Sequence, residues 1–343
     1  MQHGGGVPDM APVDETLSVE DIAAGQASLR SLMTAFWGAR ALHAAVALDL
    51  FNALASRPMK AAELAEQTSC DPRGCELLLH ALVALGLVER EDGTFKNSAL
   101  SQVLLLGSSP YDQSALVAAA GNGWGPWQAL DAALRGSSPP RRPLGGREGL
   151  RAARDLGAVV APLMLRKIEM SRVKRVLEIG AGPATATITL ATANPDLEAT
   201  LVDGPESAAI THEYVQAAGL SNRVRVVAHD PLEAEFGREC YDLVVITNLH
   251  RYSDATTRIL LKKAFEATVS EGRCVISDAL LRDDKTGPLP AALLALDCML
   301  AGGGARAYSG WEVTDAMQTE GFIRVQIVPL DPLAHSLVIG TRP

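Results

Sequence analysis

The stretch Val176-Leu-Glu178-Ile-Gly180-Ala-Gly182-Pro-Ala184 decides the fold of this chain. It begins as an apolar run that suits a buried strand, and two glycines follow. Gly180 permits a sharp turn off the strand, and Gly182 permits the backbone to approach a ligand closely, because neither residue carries a Cβ atom. The stretch therefore predicts a strand, a tight turn and the start of a helix.

Apolar runs alternate with helical patterns from this stretch onward. The predicted strands are 174–179, 198–202, 223–228, 241–247, 273–279, 322–328 and 335–341, and the predicted helices are 184–193, 205–218, 254–270, 290–300 and 310–320. The strands are continuously apolar, as in a sheet that is covered on both faces. No helix separates the last two strands, so one of them is expected to run antiparallel. The pattern predicts an α/β domain with a seven-stranded, mostly parallel sheet.

The first third of the sequence is mainly helical. Apolar residues recur at helical spacing over 29–54, and a short helix is predicted over 58–66. Asp71 and Pro72 form the start signal of another helix, which Gly86 ends. The dipeptide Asp92-Gly93 lies between two short strand-like runs and predicts a hairpin. Two helices followed by a hairpin predict a winged helix.

Four regions follow from these patterns. Residues 1–17 are expected to form a disordered tail, and residues 18–110 form the winged-helix domain. Residues 111–170 form a helical connector and substrate-pocket segment, with a loop at 136–146 that is rich in Gly and Pro. Residues 171–343 form the α/β domain.

Composition excludes several classes of function. The 343 residues carry a formal net charge of −9, whereas a general binder of polyanions needs clustered Lys and Arg. The helix over 71–85 is dominated by leucines, so no nucleic-acid partner is expected. The apolar run 293–300 is too short to span a bilayer and the start carries no export signal, so no membrane partner is expected. Five dispersed cysteines without a CxxC motif predict reduced thiols in a cytoplasmic protein.

Acidic residues stand at the predicted ends of three strands. Glu178 would repel a pyrophosphate, but it suits a ligand with an ammonium group, such as the methionine part of S-adenosylmethionine (SAM). Asp203 stands where an acidic residue accepts hydrogen bonds from ribose hydroxyls, and Asp230 is placed to accept one from an adenine amino group. Each residue alone also fits an ordinary turn, but together they predict a SAM site. The predicted cofactor-binding residues are Glu178, Gly180, Gly182, Asp203, Asp230 and Pro231.

Three motifs resemble the SAM-dependent O-methyltransferases of the plant caffeate and bacterial secondary-metabolite type. Glu178 to Ala184 is similar to the family's acidic-x-Gly-x-Gly-x-Gly, Leu201-Val-Asp203-Gly-Pro205 to its Asp-Leu-Pro, and Asn248-Leu-His250-Arg-Tyr252-Ser-Asp254 to its Leu-His-Asp-Trp-Ser-Asp. The resemblance covers residues 30–343. It implies a homodimer formed by the winged-helix domain and a Rossmann-like catalytic domain. It also implies O-methylation of a small aromatic or polyketide-like metabolite in secondary metabolism, such as antibiotic biosynthesis.

His250 follows the predicted strand 241–247, on the side where α/β sheets bind ligands. The resemblance implies that it is the general base, which suits an imidazole near neutral pH. Asp278 ends the predicted strand 273–279, where it would hold the imidazole tautomer and stabilise the imidazolium. A histidine after a strand is also often only structural. We predict that His250 and Asp278 are the catalytic residues.

The sequence departs from the family around the predicted base. Arg251 stands in place of an Asp, Tyr252 in place of a Trp and Ala305 in place of a second acid. A guanidinium next to the base disfavours imidazolium, which would make a weaker base. Three alternatives follow. The acceptor is an acidic phenol or enol that needs little help from a base, or Arg251 binds a substrate carboxylate. In the third alternative, the fold performs C- or N-methylation, or a SAM-assisted hydroxylation, decarboxylation or cyclisation. A solvent-facing Arg251 is the simpler alternative.

The pocket for the small-molecule acceptor is expected to take its walls from residues 110–165 and 280–310. Its predicted residues are Arg251, Tyr252, Trp124, Trp127, Met164 and Met299. Packing in the core is an alternative role for each Trp and Met. The spacing of His, Cys, Asp and Glu does not match a metal site, so no metal is predicted.

Overall fold

The computed structural model describes residues 17–137, 146–331 and 334–343, and the chain divides into two compact units, Met1–Ser98 and Ala99–Pro343. Residues 1–16 of the predicted tail and residues 138–145 of the predicted loop lie outside the described residues. Within the described ranges, no helix is both long enough and apolar enough to cross a membrane.

The first unit forms from short-range signals in the sequence. Its elements are α1 (Val19–Ala47), α2 (Leu50–Ala53), α3 (Ala61–Gln67), α4 (Pro72–Ala84), β1 (Val88–Glu91) and β2 (Thr94–Asn97). Asp71 caps α4 by accepting a hydrogen bond from the Gly74 backbone N–H at 2.6 Å, as its position before Pro72 predicts. Asp92 and Gly93 both have positive φ and close the hairpin of β1 and β2. Helices α3 and α4 with this hairpin form the predicted winged helix.

The helix predicted over 29–54 has different bounds in the structure. Helix α1 already begins at Val19, because Ser18 and Asp21 form a capping box there. It ends before Asp49, whose φ of 55° is left-handed, and α2 starts after this break. The break turns Leu50 into the core of the unit, whereas α1 is largely exposed.

In the second unit, helices precede and surround one sheet. The helices before the sheet are α5 (Ala99–Leu104), α6 (Ser114–Asn122), α7 (Trp124–Gln128), α8 (Leu130–Leu134) and α9 (Gly146–Leu165). The alternating part consists of β3 (Arg175–Ile179), α10 (Thr185–Ala193), β4 (Glu198–Asp203), α11 (Pro205–Ala217), β5 (Val224–Ala228), β6 (Tyr241–Thr247), α12 (Asp254–Ala267), β7 (Thr268–Ala279), α13 (Leu289–Ala301), α14 (Gly310–Thr319), β8 (Ile323–Pro329) and β9 (His335–Thr341). The predicted α/β alternation is confirmed. Residues 268–270, predicted as the end of a helix, instead begin β7, because Thr268 already pairs with Tyr241 of β6.

The sheet of the described residues has seven strands in the order β5-β4-β3-β6-β7-β9-β8. Strands β3 to β7 run parallel, whereas β9 runs antiparallel to both β7 and β8. Leu177 and Ile179 of β3 enter one buried cluster and Val176 enters another, so both faces of the sheet are covered. The strand order reverses between β3 and β6. In α/β proteins, ligands bind beyond the carboxyl ends of the strands at such a reversal.

Helix α9 approaches the start of α10 closely. A Cβ atom on Gly157 of α9 would lie 2.1 Å from Oγ1 of Thr185, so the approach requires glycine at this position. Leu150 of α9 lies near the turn after β3, where its Cδ2 would contact a Cβ atom on Gly182 at 3.5 Å. Helix α9 therefore forms a wall beside the carboxyl end of β3.

Candidate active site

The turn after β3 uses backbone conformations that glycine favours. Gly180 and Gly182 have φ of 67° and 51°, and Ala184 at the start of α10 has φ of 57°. A Cβ atom on Gly180 would lie 2.6 Å from the Tyr252 hydroxyl. The turn therefore needs glycine at position 180 for both its conformation and its space.

Glu178 lies beneath this turn and is 1% exposed. Its Oε2 accepts a hydrogen bond from the Thr187 backbone N–H of α10 at 3.1 Å. Burial raises the pKa of Glu178 to about 7, and no basic side chain of the described residues opposes this. Because burial disfavours the ionised form of this carboxyl group, a neighbouring cation would stabilise it. The site therefore fits the ammonium group of SAM.

Asp203 holds the same turn from the neighbouring strand β4. Its carboxylate accepts hydrogen bonds from the backbone N–H groups of Gly182 at 2.7 Å and Gly204 at 2.8 Å. Burial raises the pKa of Asp203, while these two bonds and the charge of Arg251 oppose the rise. Asp203 also borders a cavity of about 280 Å³. This smaller cavity is lined by Gly180, Asp203, Arg251, Tyr252, Ala301, Gly302 and Gly303.

Asp230 and Pro231 follow β5, the strand beyond β4. Asp230 is exposed and its Oδ1 accepts a hydrogen bond from the Leu232 backbone N–H at 2.8 Å, whereas Pro231 is buried. Lys263 of α12 donates to the backbone carbonyls of Pro231, Leu232 and Ala234 and so holds this loop. Asp230 and Pro231 are not among the described residues that line this smaller cavity or the larger one described below. Their contact with adenine stays a prediction.

His250 lies in a 3-10 turn, Leu249–Arg251, directly after β6. Asp278 of the adjacent strand β7 is 2% exposed and accepts a hydrogen bond from the His250 backbone N–H at 2.6 Å. The Nδ1 atom of His250 lies 2.7 Å from Oδ1 of Asp278. An ionised carboxylate can only accept, so Nδ1 carries the proton. The Nε2 atom is then the proton acceptor of the ring.

The charges around His250 favour its protonated form. Burial lowers the pKa of the ring, but the hydrogen bond and charge of Asp278 and the charge of Asp297 raise it, so the pKa of His250 is raised overall. The charge of Arg251 lowers it again without reversing the rise. The charge of Arg251 therefore does not outweigh the charge of Asp278 at the ring.

A cavity of about 580 Å³ brings the two groups of predicted residues together. Glu178 lines it at the end of β3, and His250 and Asp278 line it at the ends of β6 and β7. Helices α6 and α9 contribute apolar walls. These walls include Leu116, Ala119, Leu156, Val160 and Met164. The volume and the mixture of apolar walls with few polar groups are typical of a site for small molecules.

Comparison with known proteins assigns the family. The sequence matches the O-methyltransferase dimerisation domain over residues 30–107 and the O-methyltransferase domain over residues 148–323. The chain belongs to the O-methyltransferase family. The predicted fold class and methyltransferase activity are thus confirmed, and SAM is the methyl donor of this family.

Named relatives resemble this O-methyltransferase over nearly its whole length. It is 31% identical to 3-hydroxy-5-methyl-1-naphthoate 3-O-methyltransferase of Streptomyces sahachiroi, with 92% of this chain and 94% of the relative covered. It is 28% identical to the tetracenomycin polyketide synthesis 8-O-methyl transferase TcmO of Streptomyces glaucescens, with 92% and 97% covered. The solved structure of PigF with SAH has a TM-score of 0.80 at 26% identity and covers 94% of this chain and 99% of that chain.

Three of the predicted acceptor residues line a cavity of the O-methyltransferase. Met164 lines the larger cavity, Tyr252 the smaller, and Arg251 both. The charge of Arg251 acts on both Asp203 and His250, so this side chain is placed beside both predicted ligand sites. The contact of Met164, Tyr252 and Arg251 with an acceptor stays a prediction.

The other three predicted acceptor residues, Trp124, Trp127 and Met299, are not among the described lining residues of either cavity. Trp127 of α7 donates its Nε1–H to Oδ1 of Asp297 at 2.9 Å, and Asp297 lines the larger cavity. Trp124 and Met299 are partly exposed. Their roles also stay predictions.

Three titratable residues of the larger cavity are absent from the sequence-based set, namely Glu148, Asp297 and His335. His335 begins β9, and its Nε2 lies 3.2 Å from Oγ of Ser277, while burial lowers its pKa. Because β9 is antiparallel, its first residue pairs with Ala279 at the edge where the parallel strands end. The antiparallel strand expected from the sequence could therefore have indicated that His335 lies at this edge. The single acid within the apolar run 293–300 could have indicated Asp297 as a site residue.

The described parts of the chain contain no group of three or more His, Cys, Asp or Glu side chains placed to hold a metal ion.

Proposed function

We propose that this O-methyltransferase methylates a hydroxyl group of a small aromatic or polyketide-like metabolite, with His250 as the general base. The observation that carries the proposal is the double contact of Asp278, which binds both the ring Nδ1 and the backbone N–H of His250. This pair faces a cavity that Glu178 also lines. The naphthoate and tetracenomycin activities in the names of the relatives support an aromatic acceptor.

Residues at the ends of β3 and β4 would hold the cofactor. Glu178 would neutralise the ammonium group, Asp203 would accept hydrogen bonds from ribose hydroxyls, and Gly180 and Gly182 leave room for close approach. SAM supplies an electrophilic methyl group when it is bound. The buried carboxylate of Glu178, with its raised pKa, is the observation that fits such a cationic ligand.

The ends of β6 and β7 supply the proton chemistry. The acceptor hydroxyl gives its proton to Nε2 of His250 as the oxygen becomes the nucleophile. Asp278 keeps Nδ1 protonated and stabilises the imidazolium that results. The apolar walls from α6 and α9 exclude water from the reacting groups, which favours transfer to the acceptor over side reactions.

The wild-type protein tests this function directly. We expect SAH to bind in calorimetry, and incubation with SAM and 3-hydroxy-5-methyl-1-naphthoate, 2-naphthol or 2,3-dihydroxynaphthalene to give SAH and an O-methylated product in equal amounts. Mass spectrometry and NMR identify the methylated atom. A C-methylated product, or a SAM-dependent product without SAH, would contradict O-methylation.

The chain pairs with a second copy of itself through the first unit. The match to a dimerisation domain over residues 30–107 supports this part of the proposal. Exposed apolar residues also recur at the i, i+3, i+4, i+7 and i+8 positions of α1, which places them on one face. This apolar stripe consists of Leu29, Leu32, Met33, Phe36 and Trp37. A continuous apolar face of this kind is characteristic of an interaction surface.

Charges on the apolar stripe are expected to disrupt the dimer. Size-exclusion chromatography with light scattering should give twice the 36.2 kDa chain mass for the wild type. The double variant Leu32→Glu/Trp37→Glu should shift to the single-chain mass, because carboxylates would be buried in the interface. Ser31→Glu adds one charge to the opposite face of α1 and should remain dimeric. A monomeric wild type would contradict the proposal.

A further inference from the structure

The larger cavity contains a carboxylate for which the mechanism above has no use. Asp297 of α13 lines this cavity together with His250 and Asp278. Its Oδ1 accepts the Nε1–H of Trp127 at 2.9 Å, which fixes the carboxylate against α7. The side chain is therefore positioned by a specific hydrogen bond on the wall that faces the acceptor.

Helix α13 places Asp297 close to the predicted base. The next residue, Cys298, directs its Sγ toward the backbone carbonyl of His250 at 3.8 Å. The Asp297 charge also acts on the His250 ring, where it favours the imidazolium form. Asp297 and His250 therefore line the same cavity, and the two side chains interact electrostatically.

The segment that follows α13 offers no carboxylate at the corresponding place. Ala305 stands where the resemblance implies a second acid, and the next residue, Arg306, donates its backbone N–H to the His250 carbonyl at 2.8 Å. The segment thus contacts His250, but its alanine cannot contact an acceptor through a charge. Asp297 precedes Cys298, which contacts the same His250 carbonyl from α13.

An ionised carboxylate selects the chemistry of its partner. It accepts hydrogen bonds at about four lone-pair positions and cannot donate, so it can accept one from the acceptor as well as from Trp127. An acceptor with only an apolar group at this position would desolvate the charge without replacing its hydrogen bonds. A donor such as a hydroxyl or an amino group is therefore favoured over an apolar group at this position.

We propose that Asp297 is a specificity-determining residue that accepts a hydrogen bond from a second donor next to the hydroxyl that His250 deprotonates. The substrate class is then an aromatic acceptor with two neighbouring donors, as in a catechol or an aminophenol. This inference rests on the proposed function, and it refines that function by a requirement on the acceptor.

Two naphthols that differ by one hydroxyl test the requirement. Calorimetry on the SAH-saturated protein gives dissociation constants for 2,3-dihydroxynaphthalene and 2-naphthol. We expect the wild type to bind the diol at least about tenfold more tightly, since a hydrogen bond to a charged group has this effect. Asp297→Asn keeps the shape and removes the charge, and it should reduce the preference to below about threefold.

Two further variants separate recognition from packing. Trp127→Phe removes the indole N–H but leaves the carboxylate, and it should keep most of the preference for the diol. Asp196→Asn changes an exposed carboxylate between α10 and β4 and should keep all of it.

Equal binding of both naphthols by the wild type, or an unchanged preference in Asp297→Asn, would overturn this inference alone. Failure of both naphthols to bind, while SAH binds, would overturn the aromatic-acceptor function and the inference with it.

Discussion

Replacing His250 with alanine is expected to lower kcat by about 10²- to 10⁴-fold, the usual contribution of a positioned general base. Affinity for SAH should change little, because the predicted cofactor contacts lie beyond the ends of β3, β4 and β5 and not at His250. Steady-state kinetics and calorimetric titration with SAH measure the two quantities. His212→Ala removes an exposed histidine of α11 and is the matched control, which should keep wild-type turnover. Unchanged kcat in His250→Ala would show that another group takes the proton.

The pH profile distinguishes a base from a structural histidine. The pKa of His250 is raised above its ordinary value, and the protonated ring cannot accept a proton. The rate should therefore fall as the pH decreases through this raised pKa. Asp278→Asn removes the carboxylate that raises it, so the acid limb should move to lower pH while kcat at alkaline pH also falls, because the tautomer is no longer held. A lower kcat without movement of the acid limb would contradict the assigned role of Asp278.

Replacing Glu178 with glutamine is expected to weaken SAH and SAM binding by about 10- to 100-fold, as for lost contacts between a charged group and its hydrogen-bond partners. Glutamine keeps the size of the side chain and an oxygen for the Thr187 N–H. Thermal stability at alkaline pH should therefore not fall, which separates a binding defect from a folding defect. Glu198 begins β4, at the end of the strand away from Asp203, and its carboxylate is exposed. The control variant Glu198→Gln should bind SAH as the wild type does.

The affinity for SAH should also depend on pH through Glu178. The pKa of this carboxyl in the protein without ligand is about 7. An ammonium group binds the ionised form, so below that pH binding must first remove a proton, and affinity should fall by up to about tenfold per pH unit. Above it the affinity should level off, and Glu178→Gln should lack this dependence. A wild-type affinity that is constant between about pH 6 and pH 8 would contradict the ammonium contact.

Features that depend on neighbouring residues could be predicted from the sequence. The turn at Gly180, the cap at Asp71 and the hairpin at Asp92-Gly93 follow from local backbone preferences, and the α/β alternation follows from hydrophobic periodicity. The bounds of α1 could not be predicted from periodicity, because the left-handed residue Asp49 interrupts an apolar pattern that continues on both sides.

The lining of the larger cavity was less predictable, for a different physical reason. Trp124 and Met299 lie on helices whose rotation is set by tertiary packing, and the sequence does not show which of their faces meets the cavity. Asp297 and His335 reach it from distant segments through helix packing and strand pairing. The contact between His250 and Asp278 was easier to predict, because the ends of adjacent parallel strands meet at one edge of any such sheet.

Strand β9 lies inside the sheet, between β7 and β8, although it is the strand nearest the C-terminal end of the sequence. A nascent chain still emerging from the ribosome therefore has one side of β7 unpaired, and it lacks the imidazole that β9 contributes to the cavity. Synthesis through β9 must therefore precede assembly of the binding site. Methyl transfer is thus expected only after β9 has been synthesised, and truncation through β9 removes a strand that is paired on both sides rather than a dispensable edge.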